Sequence, residues 1–174
     1  MIAALIFASL FVAIGPSGSA AVPRVTHMRP LSATAQHMID DARRVSPTIA
    51  SMIGEIEQSD VFVYVDAGFF PRSTDGGATT FTASSTMSRF LSVKINLMLD
   101  PNRRMEVLGH ELQHVLEVTR DASVRDDLGM QRLFGNIGWV SRVREYETAA
   151  AMDVERTVHQ EIWHARSMKQ NGRT

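Results

Sequence analysis

Apolar and polar positions change period several times along this chain, and each change marks an element. Ser32 to Val45 has helical spacing with Ser32 placed to cap it. Ser46-Pro47 opens a second helix, with a capping residue followed by proline in the first turn, and Ile49, Met52, Ile53 and Ile56 form its apolar stripe. The run Val61 to Val65 is β-branched and aromatic and predicts a strand. Gly68 to Gly77, with Pro71 and Asp75-Gly76-Gly77, predicts a loop. Thr79 to Ala83 and Arg89 to Leu97 predict a hairpin; in the second segment Leu91, Val93, Ile95 and Leu97 alternate with Ser92, Lys94 and Asn96. Asp100-Pro101 predicts the start of a helix that runs to about Val118. Ser123 to Asp126 has the form of a capping box and starts another, which Gly135 to Gly138 ends. A last helix is predicted from roughly Arg142 to Lys169, and Ala21 to Pro30 reads as a flexible lead. Helices, then a small antiparallel or mixed sheet, then helices again argue for the α+β class.

The first twenty residues stand apart. Met1 to Ala21 carries no charged side chain; Ile2 to Ile14 is apolar apart from Ser9, and small residues follow Gly15-Pro16. This predicts a secretory signal peptide over residues 1–20 and a single domain over 21–174, hence a secreted or periplasmic protein, or a membrane-anchored one if the segment stays uncleaved. The apolar run falls short of the ~20 residues of a comfortable span, and no later segment has a spanning pattern. Lys and Arg number 18 against 19 Asp and Glu, so there is no basic excess for phosphates and nucleic acid is not an expected partner. The chain has no cysteine, which removes disulfides, thiolate catalysis and Cys-type zinc sites.

The sharpest chemical signal is His110-Glu111-Leu112-Gln113-His114. Two imidazoles at i and i+4 on one helix lie on one side and can share a metal ion. Glu111 projects about 100° away, off the ligand axis but within reach of a water at the metal. Neutral imidazoles hold Zn²⁺ without cancelling its charge, and a carboxylate nearby can take a proton from water and hand it to a leaving amine. The competing reading is a solvated helix face: Met105, Leu108, Leu112, Val115 and Leu116 form the buried stripe, with the histidines opposite beside Arg103, Glu106 and Glu117. Gly109, unfavourable in mid-helix, argues for close approach of another element.

A third ligand is expected from the last helix. With that helix continuous, Ala150, Ala151, Val154, Val158, Ile162 and Ala165 fall within about 60° of Glu147, which puts its carboxylate on the core-facing stripe, where it needs a cation. Zinc is one partner; a buried arginine, Arg132 or Arg142, is the other. Glu145 falls on the opposite face, near Arg156 and His159.

His110-Glu111-x-x-His114 followed by a Glu on a later helix resembles the gluzincin branch of the zincin metallopeptidases, over about Asp100 to Asp153. Arg120, six residues after His114, and Glu117 in place of glycine depart from the metzincin pattern. The resemblance implies a zincin-like domain with an active-site helix and a long C-terminal helix. It also implies zinc on His110, His114 and Glu147, Glu111 as general base, and a peptide or protein substrate paired to an edge strand, for which Arg89 to Leu97 is the candidate. Many gluzincins carry an Asp four residues after the ligand Glu to support a ligand His; here that position is Ala151, and Asp153 is out of register.

Other residues read more plainly. His27 and His37 are expected at the surface, Trp139 and Trp163 in packing, and the methionines as core filler. His159, His164 and Tyr146 are candidates for polarising a substrate carbonyl. The function these features predict is a secreted zinc-dependent metallopeptidase. The alternatives are a zincin-like protein that keeps metal for structure or for non-peptide hydrolysis, and a helical binding module with a coincidental motif.

Overall fold

A computed structural model describes residues 26–70, 76–142 and 145–171; the expected signal peptide lies outside them, as do five residues of the Gly68 to Gly77 loop. The class is α+β. The elements run β1 (Met28–Pro30), α1 (Ala33–Val45), α2 (Pro47–Ile56), β2 (Val61–Gly68), β3 (Gly77–Ser84), β4 (Arg89–Asn96), α3 (Pro101–Arg120), α4 (Asp127–Ile137), β5 (Trp139–Arg142), β6 (Glu145–Glu147) and α5 (Ala149–Asn171). A four-stranded mixed sheet has the order β1-β2-β4-β3, and β5 and β6 form a separate ribbon.

Local chemistry sets most boundaries as the sequence predicts. Ser32 Oγ accepts from Ala35 N, Ser46 Oγ from Ile49 N, and Asp100 Oδ1 from Asn102 N and Arg103 N, each cap satisfying amides that the helix leaves unpaired. The fourth helix is capped by Asp126, whose Oδ1 accepts from Gly129 N, whereas Ser123 sits in the preceding turn bonded to Asp121. That corrects the expected start by three residues.

Alternation on β2 and β4 places Val61, Val63, Val65, Leu91, Val93 and Ile95 on one fully buried face, against α1 and α3. Three expectations for the sheet are corrected. Met28 to Pro30, taken as a flexible lead, pairs in parallel with Val63 to Val65. Arg89 to Asn96 is not an edge strand: β4 is held by β2 in parallel and by β3 antiparallel, so the free edge beside α3 belongs to β3. The continuous last helix is also replaced, because Trp139–Arg142 and Glu145–Glu147 form the antiparallel ribbon and α5 starts at Ala149. The β-prone Trp139, Val140 and Tyr146 favour the ribbon, and Thr148 Oγ1 accepts from Ala151 N to cap the helix.

Helix α3 lies between the sheet and α5, so it is buried nearly all round rather than along one stripe. Gly109 is where α5 comes close, as its spacing implied: a Cβ there would stand 2.8 Å from Val158 Cγ2. Glu161 of α5 accepts from Thr48 Oγ1 at 2.7 Å and from Ser46 Oγ at the start of α2, an anion placed on a helix N-terminus. Trp139 and Trp163 are exposed, against the expectation that they pack. The methionines divide: Met28, Met38, Met52, Met105 and Met130 are buried, whereas Met87, Met98, Met152 and Met168 are exposed.

Arg89, 1% exposed, closes the far end of α3. Its Nη1 donates to Val118 O at 2.6 Å and Asp121 O at 2.8 Å, its Nη2 to Thr119 O at 3.0 Å, and its remaining donors to Asp60. Arg89→Ala strands those carbonyls and is expected to cost about 3 kcal/mol in urea denaturation. The hydrogen bonds from Arg89 hold Asp60 below the ordinary aspartate range. Its contribution is therefore full above the unfolded value of about 3.9 and is lost as pH falls through the depressed folded value. Removing Arg89 should flatten that acid limb; an unchanged denaturation midpoint would contradict this role.

Candidate metal centre

His110 and His114 sit one turn apart on α3, with ring centroids 4.9 Å apart and planes nearly perpendicular. The edge of His114 rests against the Phe134 ring at 5.1 Å. The third group comes from the ribbon. Trp139 pairs with Glu147, and a Cβ on Gly138 would stand 2.2 Å from Glu147 O, so only glycine lets the two strands close here. Glu147 Oε1 then lies 3.2 Å from His110 Nε2 and 3.9 Å from His114 Nε2. One donor atom from each of the three residues lies within 4.8 Å of the others. Tetrahedral ligands at about 2.0 Å from zinc are roughly 3.3 Å apart, and the 3.2 Å and 3.9 Å separations from Glu147 Oε1 lie near that spacing.

Both imidazoles turn Nε2 to the centre and Nδ1 to a carboxylate. His114 Nδ1 is 2.9 Å from Glu117 Oε2. His110 Nδ1 is 3.0 Å from Glu155 Oε2, a close pair that falls short of hydrogen-bond geometry. A carboxylate bonded as Glu117 is fixes the tautomer that leaves Nε2 free for a metal, while Glu155 faces His110 Nδ1 as an ion-pair partner. Arg103 Nη1 donates both to Glu155 and, at 2.9 Å, to Glu106, whose other oxygen is 2.7 Å from His159 Nδ1.

The charge pattern favours a cation. Burial works against a charged His110, yet Glu147 and Glu155 outweigh it and push its pKa up to about 10. For Glu147 burial is likewise outweighed by the His110 ring, leaving the carboxyl below its usual range. The His110 ring, and with it Arg103, holds Glu155 down to about 2. The field that draws a proton to this pocket draws a metal ion, and the two compete.

Glu111 lies beside the centre without joining it. Its carboxylate is buried and accepts from Thr79 Oγ1 of β3 at 2.8 Å. Burial pushes its pKa up, tempered by the two imidazoles and by Thr79. Strand β3 reaches this close because Gly77 has no side chain: a Cβ there would meet both Glu111 Oε1 and Val107 Cγ1 at 2.7 Å. A cleft of about 180 Å³ opens over His110, Glu111 and Glu147, walled by Gly76, Gly77 and Val107 on one side and by Arg103 and Glu155 on the other.

The structure thus brings together His110, His114, Glu147 and Glu111. Glu147 does so from a strand, so the helical phase that set Glu145 opposite it does not apply; the Glu145 and Arg142 side chains lie outside the described residues. The ion-pair partners of Glu147 are the two imidazoles rather than Arg132. Ala151 is fully buried, Asp153 is exposed and pairs with Arg156, and support for the histidines comes from Glu155 and Glu117. Sequence reasoning missed these two. Glu117 carried a signal, one turn past His114 on the same face; so did Glu155, one turn past Ala151. Thr79 had none, since strand register alone delivers it. His37 is exposed, as expected; His164, a candidate for polarising a substrate carbonyl, is exposed and does not line the cleft, and His27 is half-buried against the Phe62 ring at 4.1 Å. Comparison with protein-family models, curated proteins and solved structures gives no match.

Proposed function

We propose that this protein is a zinc-dependent peptidase, exported on its apolar N-terminal run. The observation that carries the reading is the convergence of His110, His114 and Glu147 on one centre, with the Glu111 carboxyl in the same cleft and outside the donor set. Zinc held by these three residues supplies Lewis acidity, which makes water nucleophilic at neutral pH and polarises a carbonyl. Glu111, with its raised pKa, takes the proton from the attacking water and returns it to the leaving amine. Thr79 orients that carboxyl. The free edge of β3, Gly77–Ser84, runs beside Glu111 without a charge or a proline to guard it, and suits an extended peptide backbone.

The direct test is to load the purified protein with zinc and assay a peptide library before and after chelation. Cleavage that disappears with chelator and returns with zinc is expected; cleavage indifferent to chelation would contradict the reading. Gly77→Ala probes the approach of β3. The added methyl forces Glu111 or the strand aside by a fraction of an ångström to an ångström, so hydrolysis should fall by up to about a hundredfold. Zinc affinity should change less than about threefold, because the atoms that the added methyl meets first belong to Glu111 and Val107, outside the donor set. Equal turnover in the variant, measured at saturating peptide, would show that the β3 approach is not needed.

A further inference from the structure

Thr148 joins the ribbon to α5 and is 2% exposed. Its hydroxyl has one proton, which it donates to Glu117 Oε1 at 2.8 Å. The same oxygen accepts from Ala151 N at 3.1 Å. Its own amide donates to Glu147 Oε1 at 2.9 Å, the oxygen that faces both imidazoles. Glu117 in turn holds His114 Nδ1 through its other oxygen, at 2.9 Å. One residue therefore touches a proposed ligand on the ribbon directly and a proposed ligand on α3 through one carboxylate. The methyl adds a constraint: Thr148 Cγ2 packs against Gly138, 3.1 Å from where a Cβ there would stand. A β-branched side chain has few χ1 choices, so this packing aims the hydroxyl at Glu117.

We infer that Thr148 is a positioning residue that locks Glu147 and His114 into one donor set, acting on the first through its amide and on the second through Glu117. The inference rests on the metal reading above. A capping residue alone needs only the bond to Ala151; the bond to Glu117 is what ties the cap to the metal centre. The two roles separate by measurement, because a lost cap lowers stability with or without metal, whereas a lost tie lowers metal affinity in the folded chain.

The experiment titrates zinc, in competition with a chromophoric chelator, into the full-length protein and into Thr148→Val, Thr148→Ser, Glu117→Ala and the Thr148→Val/Glu117→Ala pair, each checked for native circular dichroism. Thr148→Val keeps the shape and removes the hydroxyl; it should weaken zinc binding about 10- to 100-fold, the range typical of groups that orient a ligand. Thr148→Ser keeps the hydroxyl and should stay within about threefold of the parent, well short of that range. Glu117→Ala leaves the cap intact and should match Thr148→Val, and the double variant should lose no more than either single one, since both break one connection. If the losses multiply, or if Glu117→Ala binds zinc like the parent, Thr148 is only a cap and the inference fails. Should Thr148→Val not fold, Thr148→Ala, which also lacks the hydroxyl, is compared with Thr148→Ser in its place, and equal zinc affinity in the two overturns the inference. A parent protein that takes up no zinc would overturn the metal reading itself, an outcome distinct from normal uptake with indifferent variants.

Discussion

Glu111→Gln should take up zinc as the parent does and hydrolyse peptides about 10²- to 10⁴-fold more slowly, the range removed with a general base. The two halves of this expectation have separate structural grounds. Metal uptake depends on His110, His114 and Glu147, none of which is hydrogen-bonded to the Glu111 carboxyl; that group is held by Thr79 of β3. Proton transfer depends on a carboxyl whose pKa burial has raised, so that it can accept a proton and later release it. Glutamine keeps the shape and can accept from Thr79 but cannot carry the proton. Zinc content and single-turnover cleavage measured on the same preparation check both halves. Near-parental cleavage would remove Glu111 from the mechanism, whatever the metal content.

The second large effect falls on metal binding. Glu147→Ala removes the only anionic member of the donor set and should weaken zinc binding by more than about a hundredfold, beyond what supporting groups cost. The loss is visible without any substrate. Zinc at about a hundred times the parent dissociation constant stabilises the parent by roughly 2.7 kcal/mol, which is about 5–10 °C in melting temperature for a chain of this size. Under the same conditions the variant should shift by no more than about 1–2 °C on adding zinc. A full zinc-induced shift in Glu147→Ala would place the third ligand elsewhere.

Much of the fold was legible because it is decided locally. Ser32, Ser46-Pro47 and Asp100-Pro101 announce helices through the chemistry of unpaired amides, and the alternation in Arg89 to Asn96 announces a strand buried on one face. What could not be read is what distant pairing decides. The place of β4 inside the sheet depends on its parallel pairing with the distant β2, and β1, a three-residue strand with almost no pattern of its own, is defined only by its pairing with β2. The second strand of the ribbon is hidden because Ala149 onward is strongly helical and the periodicity extends backwards across Thr148 to about Arg142.

The site divides in the same way. His110, Glu111 and His114 announce themselves by spacing within one helix. Glu147 was reached by an argument about helical phase that does not hold, since the residue lies in a strand; its need for a cationic partner does hold. Glu117 and Glu155 stand one turn past His114 and Ala151, a weak signal, because a surface carboxylate and a supporting one look the same until the helices pack. Arg103, Glu106 and His159 extend that support outward from Glu155 to the surface, again through contacts between α3 and α5 that no local pattern encodes.

The most direct test of the central claim is zinc K-edge absorption spectroscopy, with elemental analysis, on the full-length protein purified in the presence of zinc. The account expects about one zinc per chain, with two imidazole nitrogens and light-atom oxygen donors at about 2.0–2.1 Å. The imidazole signal should be reduced in His110→Ala and in His114→Ala, and lost in the double variant. Protein that retains no zinc, or zinc bound without imidazole, would contradict it.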